Sequence, residues 1–471
     1  MSKNNPHIQP DKFRDALATV QEDGKRNWIY PKKVTGKYYR WRTYLSWVLL
    51  GILFAGPFIH VNGRPWLLFN IFERKFIIFG AVFWPQDTYL LIFLLLIFVL
   101  FIILFTVVYG RVFCGWACPQ TLFMEMVFRK IEYWIEGDAN QQRKLNAMPW
   151  NGEKIRKKGV KMAIFVLISL VISHTVMAYL IGIDRVKEIV SQSPTENMAG
   201  FIGLMAFTGI FLFVFSWFRE QACLVVCPYG RLQGVLLDNN SINVAYDYVR
   251  GEPRGMIRKN VSSEAPPLGD CIDCTLCVQV CPTGIDIRNG VQMECVNCTA
   301  CIDVCDEVME KVDRPKGLIR YASETSIKEG FQKLITSRVK GYTVILVLLV
   351  AAFIGLLTTR TDLEATVTRF RGMTYQEREG GVVSNLYEVT FINKTFDRQQ
   401  VALVPADEAF QVEVVGDTNW NLEGQTKFEG RFFVTKTQED LKVNQENITL
   451  LLLQNGEVID KIKTSFVGPV K

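Results

Sequence analysis

The chain has 471 residues, 49% of them hydrophobic and 12% aromatic, with a formal charge of +6. That length calls for more than one domain, and so much apolar sequence excludes a largely disordered chain. The positive balance is mild and sits in loops beside apolar blocks, which leaves no case for nucleic acid.

Residues 1–40 form a polar segment without a signal-peptide pattern, because the first apolar block is long and starts only at residue 41. Five stretches then reach the roughly 20 residues that a spanning helix needs: Trp41–Ile59, Thr88–Tyr109, Val160–Ile181, Ala199–Phe218 and Gly341–Thr358. A sixth, Trp66–Trp84, is interrupted by Glu73-Arg74-Lys75 and reads as interfacial or looped. Basic residues set the orientation. Lys25, Arg26, Lys32, Lys33, Lys37 and Arg40 precede the first span, and Arg111 to Lys158 crowd the loop between spans two and three. The loop at Asp184–Asn197 holds only Arg185 and Lys187, so the N-terminus is expected in the cytoplasm of a bacterial inner-membrane protein. In the basic loop, Gln120–Glu136 reads as a helix lying along the membrane surface.

The expected organisation is a cytoplasmic segment at 1–40, a four-span membrane domain at 41–240, and a cytoplasmic linker with a ferredoxin-like domain at 241–340. A fifth span at 341–360 leads to an exported domain at 361–471. Seven short β-branched or aromatic runs carry that last part: Leu363–Phe370, Val383–Ile392, Gln399–Val404, Phe410–Val415, Phe428–Val434, Ile448–Leu453 and Glu457–Thr464. Separated by Gly, Asn and Asp turns, they predict an immunoglobulin-like β-sandwich. An all-β barrel is the other architecture this pattern allows. The fold class is thus a five-span α-helical membrane protein with a bacterial-type α+β ferredoxin insert, clusters within 271–306, and a C-terminal sandwich.

All twelve cysteines fall into four tight groups. Cys271, Cys274, Cys277 and Cys281, followed by Pro282, form one ferredoxin run; Cys295, Cys298, Cys301 and Cys305 form the second. The x2-x2 spacing wraps three thiolates onto one cubane cluster, and in two-cluster ferredoxins the fourth ligand comes from the other run. Cys271, Cys274, Cys277 and Cys305 are therefore expected to hold one [4Fe–4S] cluster, and Cys281, Cys295, Cys298 and Cys301 the other. Structural zinc also uses Cys-x2-Cys pairs, but two complete four-cysteine runs fit it poorly. Asp306 stands where a second proline could follow, which changes a turn and not a ligand.

The remaining cysteines make two Cys-x3-Cys-Pro pairs, Cys114/Cys118 before Pro119 and Cys223/Cys227 before Pro228, each just past a span. Their matched placement suggests an internal two-fold repeat. Cysteines four apart share a helix face, so the pairs could converge as a four-thiolate site for Cu(I) or for a third iron–sulfur cluster. Packing, or a redox-sensitive dithiol, is the plainer alternative. His174, inside the third span, is a candidate copper ligand or proton relay, with a helix–helix hydrogen bond as the bland reading. His7 and His60 carry no such signal. Met177, Met198 and Met205 are ordinary in membrane helices. Haem attachment would need Cys-x2-Cys-His, which is absent.

The segments around Cys114 and Cys223, the Gly251-Glu252-Pro253-Arg254-Gly255 stretch and the two ferredoxin runs resemble the FixG/CcoG/RdxA group of membrane polyferredoxins, accessory to cytochrome c oxidase. The resemblance covers nearly the whole chain. It implies assembly of a cbb3-type oxidase, with reduction of Cu(II) to Cu(I) by electrons from a cytosolic donor. Cys114, Cys118, Cys223 and Cys227 would then be the catalytic cysteines, and oxidase subunits or copper-delivery proteins the partners. Two other functions remain open: a respiratory conduit from a cytosolic donor to quinone or a periplasmic reductase, and a redox-sensing assembly scaffold. A homo-oligomer is compatible with each.

Overall fold

The structure, a computed structural model, describes residues 18–469 except 21–22, 24, 62, 72–74, 80, 257–267, 396, 417–419, 425, 442 and 455. His7, the first part of the polar N-terminal segment, Glu73, Arg74 and much of the 246–270 linker therefore lie outside the described residues. The chain divides into two compact units, 1–353 and 354–471.

Among the described residues, four helices are long and apolar enough to cross a membrane: Thr88–Tyr109, Gly152–Ile181, Met198–Phe218 and Ser337–Thr358. Thr88–Tyr109 buries only Leu90, Thr106 and Val107, which leaves an apolar helix for lipid to cover. The first expected span is a helix as well, Lys37–Ala55, but it does not join that set. Lys37, Arg40 and Arg42 occupy its first turns, and the apolar remainder from Leu45 to Ala55 rises only roughly 16 Å against a hydrocarbon core of about 30 Å.

Two regions differ from the sequence reading. Trp66–Trp84 is not a loop but holds a three-stranded antiparallel meander, Leu67–Asn70, Lys75–Ile78 and Ala81–Phe83, closed over Leu68, Ile77 and Val82. Gln120–Glu136 does not lie along a surface. It continues from Pro119 as a helix with a π-helical stretch at Leu122–Phe128, and it packs antiparallel to Gly152–Ile181. Glu136 reaches Lys158 and Lys161 at 2.9 and 2.8 Å, Glu132 reaches Lys161 at 3.4 Å, and Phe128 meets the Phe165 ring edge-on at 4.7 Å. Phe123, Phe128, Phe165, Ile172 and Phe215 form one core. The charges on this helix survive burial because each finds a partner. Glu132 also pairs with Arg219, Glu125 with Arg129, and Glu220 with Arg26. Removing one member strands the other, so Glu132→Gln is expected to cost about 3–5 kcal/mol of stability, read as a lowered unfolding midpoint in detergent.

The ferredoxin unit begins earlier than its first cysteine. Asn243–Tyr246 pairs antiparallel with Ile319–Ala322, and Val244, Tyr246, Ile302, Met309 and Ile319 close one core around the cysteine runs. This unit docks onto the membrane part through Asp303, whose carboxylate accepts the N–H groups of Tyr38 and Tyr39 at 3.0 and 2.7 Å. Those are donors of the first turn of Lys37–Ala55, which that helix cannot satisfy internally.

The C-terminal unit has two antiparallel sheets. One runs Gln411–Val414, Lys427–Thr437, Val382–Asn393 and Leu363–Arg369, with Gln376–Arg378 beside Val382–Asn393; the other runs Trp420–Leu422, Gln399–Pro405, Gln445–Gln454 and Glu457–Val467. Along Val382–Asn393, Val383, Tyr387, Val389 and Phe391 turn inward onto Trp420, Leu450, Leu452 and Phe466. Tyr387 Oη donates to the Ser465 carbonyl at 2.8 Å, and Asn385 Nδ2 to that of Val467 at 2.8 Å, which ties the sheets together. Two strands escaped the sequence reading, Gln376–Arg378 and Trp420–Leu422, each too short to show alternation.

Candidate functional site: three groups of four cysteines

The two ferredoxin runs repeat each other in backbone as well as spacing. Asp273 and Asn297 have φ of 53° and 52°, and Thr275 and Thr299 have 59° and 65°. Left-handed residues on either side of Cys274 and Cys298 curl each run around a common centre. One cavity is lined by Cys271, Cys274, Cys277 and Cys305, and a neighbouring one by Cys281, Cys295, Cys298 and Cys301. Cys277 borders both. Burial pushes the Cys305 thiol up to about 12, with Cys277, Cys271 and Cys274 adding to it, and pushes Cys295 to about 12 beside Cys281 and Cys298.

The Cys-x3-Cys-Pro pairs are built as a structural repeat. Gly110 (φ 55°, ψ −127°) and Arg219 (φ 53°, ψ −124°) break their helices with the same backbone turn. Cys114 and Cys223 donate their N–H to Arg111 and Glu220 at 3.0 and 3.1 Å. Cys118 and Cys227 donate theirs to Phe113 and Ala222, both at 2.9 Å. Pro119 and Pro228 then start helices where a missing N–H costs nothing. Cys223 itself lies in a π-helical turn, Ala222–Val226, a geometry that recurs at functional sites.

The repeat brings all four thiols within electrostatic reach of one another. Burial raises Cys223 to about 12, with Cys118, Cys114 and Cys227 next among the causes. Cys114 goes to about 11, again by burial, with the Gln233 hydrogen bond opposing and Cys118 and Cys227 adding. Gln233, fully buried, donates from Nε2 to Cys114 Sγ at 3.3 Å. No group of three or more His, Cys, Asp or Glu among the described residues is spaced for a single metal ion, and this holds equally for the ferredoxin cysteines. His174 Nδ1–H donates to Leu170 O at 2.6 Å on its own helix. His60 is exposed.

Three residues that spacing alone does not single out connect this centre to the ferredoxin unit. Arg111, buried, donates to the carbonyls of Met293, Cys295 (3.4 Å) and Gly230 (3.3 Å), and both Cys114 and Cys295 lie within its electrostatic reach. Gly115 is forced to be small, since a Cβ there would stand 2.5 Å from the Asn297 carbonyl oxygen. Arg42 bridges the same seam, with Nε donating to Gly115 O at 2.6 Å and Nη1 to Cys298 O at 3.3 Å. The signal in the sequence is positional. Arg111 and Glu220 occupy equivalent places before the two pairs yet carry opposite charge.

The donor sets fit iron–sulfur chemistry: thiols alone, in largely apolar surroundings. Gln233 donates to Cys114 Sγ, and such a hydrogen bond to a cluster ligand would stabilise the more negative, reduced state. Gln233→Leu is therefore expected to lower the reduction potential of a centre held there, seen in an EPR-monitored titration, and to leave the ferredoxin potentials in place.

Three family models match successive parts of the chain. A "4Fe-4S dicluster domain" family matches residues 218–324, a "4Fe-4S binding domain" family matches 91–137 around Cys114 and Cys118, and an "IG-like fold at C-terminal of FixG" matches 353–469. Protein RdxB of Cereibacter sphaeroides is 34% identical over 405 residues, 82% of this chain and 83% of RdxB. Protein RdxA of the same organism is 34% identical over 394 residues, 80% and 81% of the two chains. Nitrogen fixation protein FixG of Rhizobium meliloti is 34% identical over 307 residues, 64% of this chain and 58% of FixG. A crystal structure of a FixG-related protein from Vibrio parahaemolyticus covers 23% of this chain and 97% of its own, at 21% identity and a TM-score of 0.20.

Proposed function

The chain belongs to the FixG/RdxA family, and on that premise we propose that it is a membrane electron-transfer protein that reduces Cu(II) to Cu(I) for assembly of a cbb3-type oxidase. Cys271, Cys274, Cys277 and Cys305 would hold one [4Fe–4S] cluster and Cys281, Cys295, Cys298 and Cys301 another. Cys114, Cys118, Cys223 and Cys227 would hold a third. Such clusters supply one-electron transfer when bound.

The observation that carries this reading is the seam at Arg111, three residues before Cys114, whose buried guanidinium donates to the Cys295 carbonyl of the ferredoxin unit at 3.4 Å and to the Gly230 carbonyl at 3.3 Å. Arg111, Gly115 and Arg42 join the segments that carry the two cysteine groups through buried contacts. The four-cysteine centre is read as a cluster site and not a copper cage, because the 4Fe-4S binding family covers the first pair. Copper enters as substrate. Soft-ligand delivery chains take Cu(I), so reduction precedes handover.

In this reading Lys37–Ala55 acts as an additional span, extended by residues 56–59, with the N-terminus and ferredoxin unit in the cytoplasm and 361–471 outside the inner membrane. A cytosolic reductant feeds the ferredoxin face, and oxidase subunits or copper-delivery proteins receive the product. The test is anaerobic purification followed by Cu(II) titration with a Cu(I)-specific chelator, starting from dithionite-reduced protein. Stoichiometric Cu(I) supports the proposal. Reduced protein that retains its electrons in the presence of Cu(II) contradicts it.

A further inference from the structure

The stretch Gly251-Glu252-Pro253-Arg254-Gly255 has no cysteine, yet it holds the first ferredoxin cysteine from both sides. Cys271 N–H donates to the Gly251 carbonyl at 3.4 Å, and Gly255 N–H donates to the Cys271 carbonyl at 3.1 Å. Gly269 N–H reaches the Pro253 carbonyl at 2.9 Å and Asp270 N–H that of Arg250 at 3.0 Å, so residues 250–255 and 269–271 are laced together. Close approach explains one glycine: a Cβ on Gly251 would collide with the Tyr246 hydroxyl. That hydroxyl therefore lies against the residue whose carbonyl holds Cys271.

Tyr246 is buried and lines the same cavity as Cys271, Cys274, Cys277 and Cys305. Its Oη donates to Glu252 Oε1 at 3.2 Å. The other oxygen of Glu252 accepts Arg254 N–H at 3.0 Å, while the Arg254 guanidinium Nε stays 3.8 Å from Oε1. Burial, then Cys271, then Glu252 push the Tyr246 phenol up, so it stays protonated with one hydrogen to give. Two acceptors compete for that hydrogen, the Glu252 carboxylate and the Cys271 sulfur.

We propose that Tyr246 and Glu252 set, with opposite signs, the reduction potential of the outer cluster, the one assigned to Cys271, Cys274, Cys277 and Cys305. This rests on the proposed cluster at those four cysteines and not on copper. A hydroxyl shared with a ligand sulfur favours the reduced, more negative cluster. A carboxylate close by disfavours that state and also draws the hydroxyl away. Arg288 lines the same cavity, but Asp286 and Asp273 already pair with it at 2.7 and 2.5 Å. Cys274 alone among the twelve cysteines is exposed, so the outer cluster is the one that a donor in solution meets first. Tyr246 and Glu252 thereby decide how strong a reductant must be to load the chain.

The experiment is an EPR-monitored redox titration of the full chain, purified anaerobically in mild detergent. The outer-cluster signal is the one that Cys305→Ser removes. Tyr246→Phe keeps the ring and should lower the outer midpoint. At a fixed applied potential the oxidised-to-reduced ratio should rise about tenfold, equivalent to about 59 mV for one electron. Glu252→Gln keeps an acceptor for Arg254 N–H and should move the same ratio the other way. Iron content and the signal of the inner cluster should be unchanged in both. In the double variant the Glu252→Gln shift should shrink, because the hydroxyl that it frees is gone. An outer midpoint that ignores Tyr246→Phe, shifts of one sign in both variants, an equal shift of the inner cluster, or loss of outer iron in either variant would overturn the proposal. An unaltered chain with no signal that Cys305→Ser removes would sink the cluster assignment and this proposal together. An intact signal that neither variant moves would sink this proposal alone.

Discussion

Serine at all four of Cys114, Cys118, Cys223 and Cys227 is expected to lower Cu(II) reduction at least about a hundredfold, equivalent to roughly 2.7 kcal/mol of transition-state stabilisation. The same protein should retain the iron of two clusters. The reason is spatial. The ferredoxin cysteines line their own two cavities within a separate core built on Val244, Ile302 and Met309, whereas the short pairs sit between Gln233, Gly230 and the Pro119 helix. On the proposed function, losing the second set would remove the last acceptor before copper without unpacking the first. Full reduction by the variant would place copper at the ferredoxin face instead. Loss of all iron would mean that the units fold as one, and the Arg111 seam would then be structural support for both.

Cys281→Ser and Cys305→Ser should have opposite effects, although each cysteine stands at the same place in its run. Cys281 closes the cavity of Cys295, Cys298 and Cys301, so its loss should remove the cluster next to Arg111 and stop electrons from reaching Cys114. Cys305 closes the cavity of Cys271, Cys274 and Cys277, and its loss should remove the outer cluster. Low-temperature EPR of the reduced variants separates the two cases. In Cys305→Ser, the cluster beside Arg111 and the four-cysteine centre should remain reducible by dithionite. Loss of the outer cluster in Cys281→Ser, and of the cluster beside Arg111 in Cys305→Ser, would mean that each run supplies all four of its own ligands.

The cysteine groups were legible in the sequence because ligand spacing is local: a cubane cluster needs three thiolates from one tight loop, and x2-x2 provides it. The sandwich strands were legible because their runs of six or more residues are long enough to show β-branched and partly alternating sequence, while Gln376–Arg378 and Trp420–Leu422 offer too few residues to alternate. The helix after Cys118 was misplaced for a physical reason. Glu125, Arg129, Glu132 and Glu136 look like a solvated face, yet they are neutralised by Lys158, Lys161, Arg219, Glu220 and one another, partners mostly far apart in the chain. Burial of a charge is visible only once its counter-charge has a place. The same holds for Arg111, which reads as one more loop cation until Met293 and Cys295 arrive beside it.

The account turns on what the four short-motif cysteines hold. Iron, acid-labile sulfide and copper should be quantified on the anaerobically purified full chain, with EPR of the dithionite-reduced state. Three [4Fe–4S] clusters predict about twelve irons and about twelve sulfides per chain, no stoichiometric copper, and a third reduced signal that disappears when Cys114, Cys118, Cys223 and Cys227 become serine. About eight irons, with one copper that departs in that same variant, would contradict it.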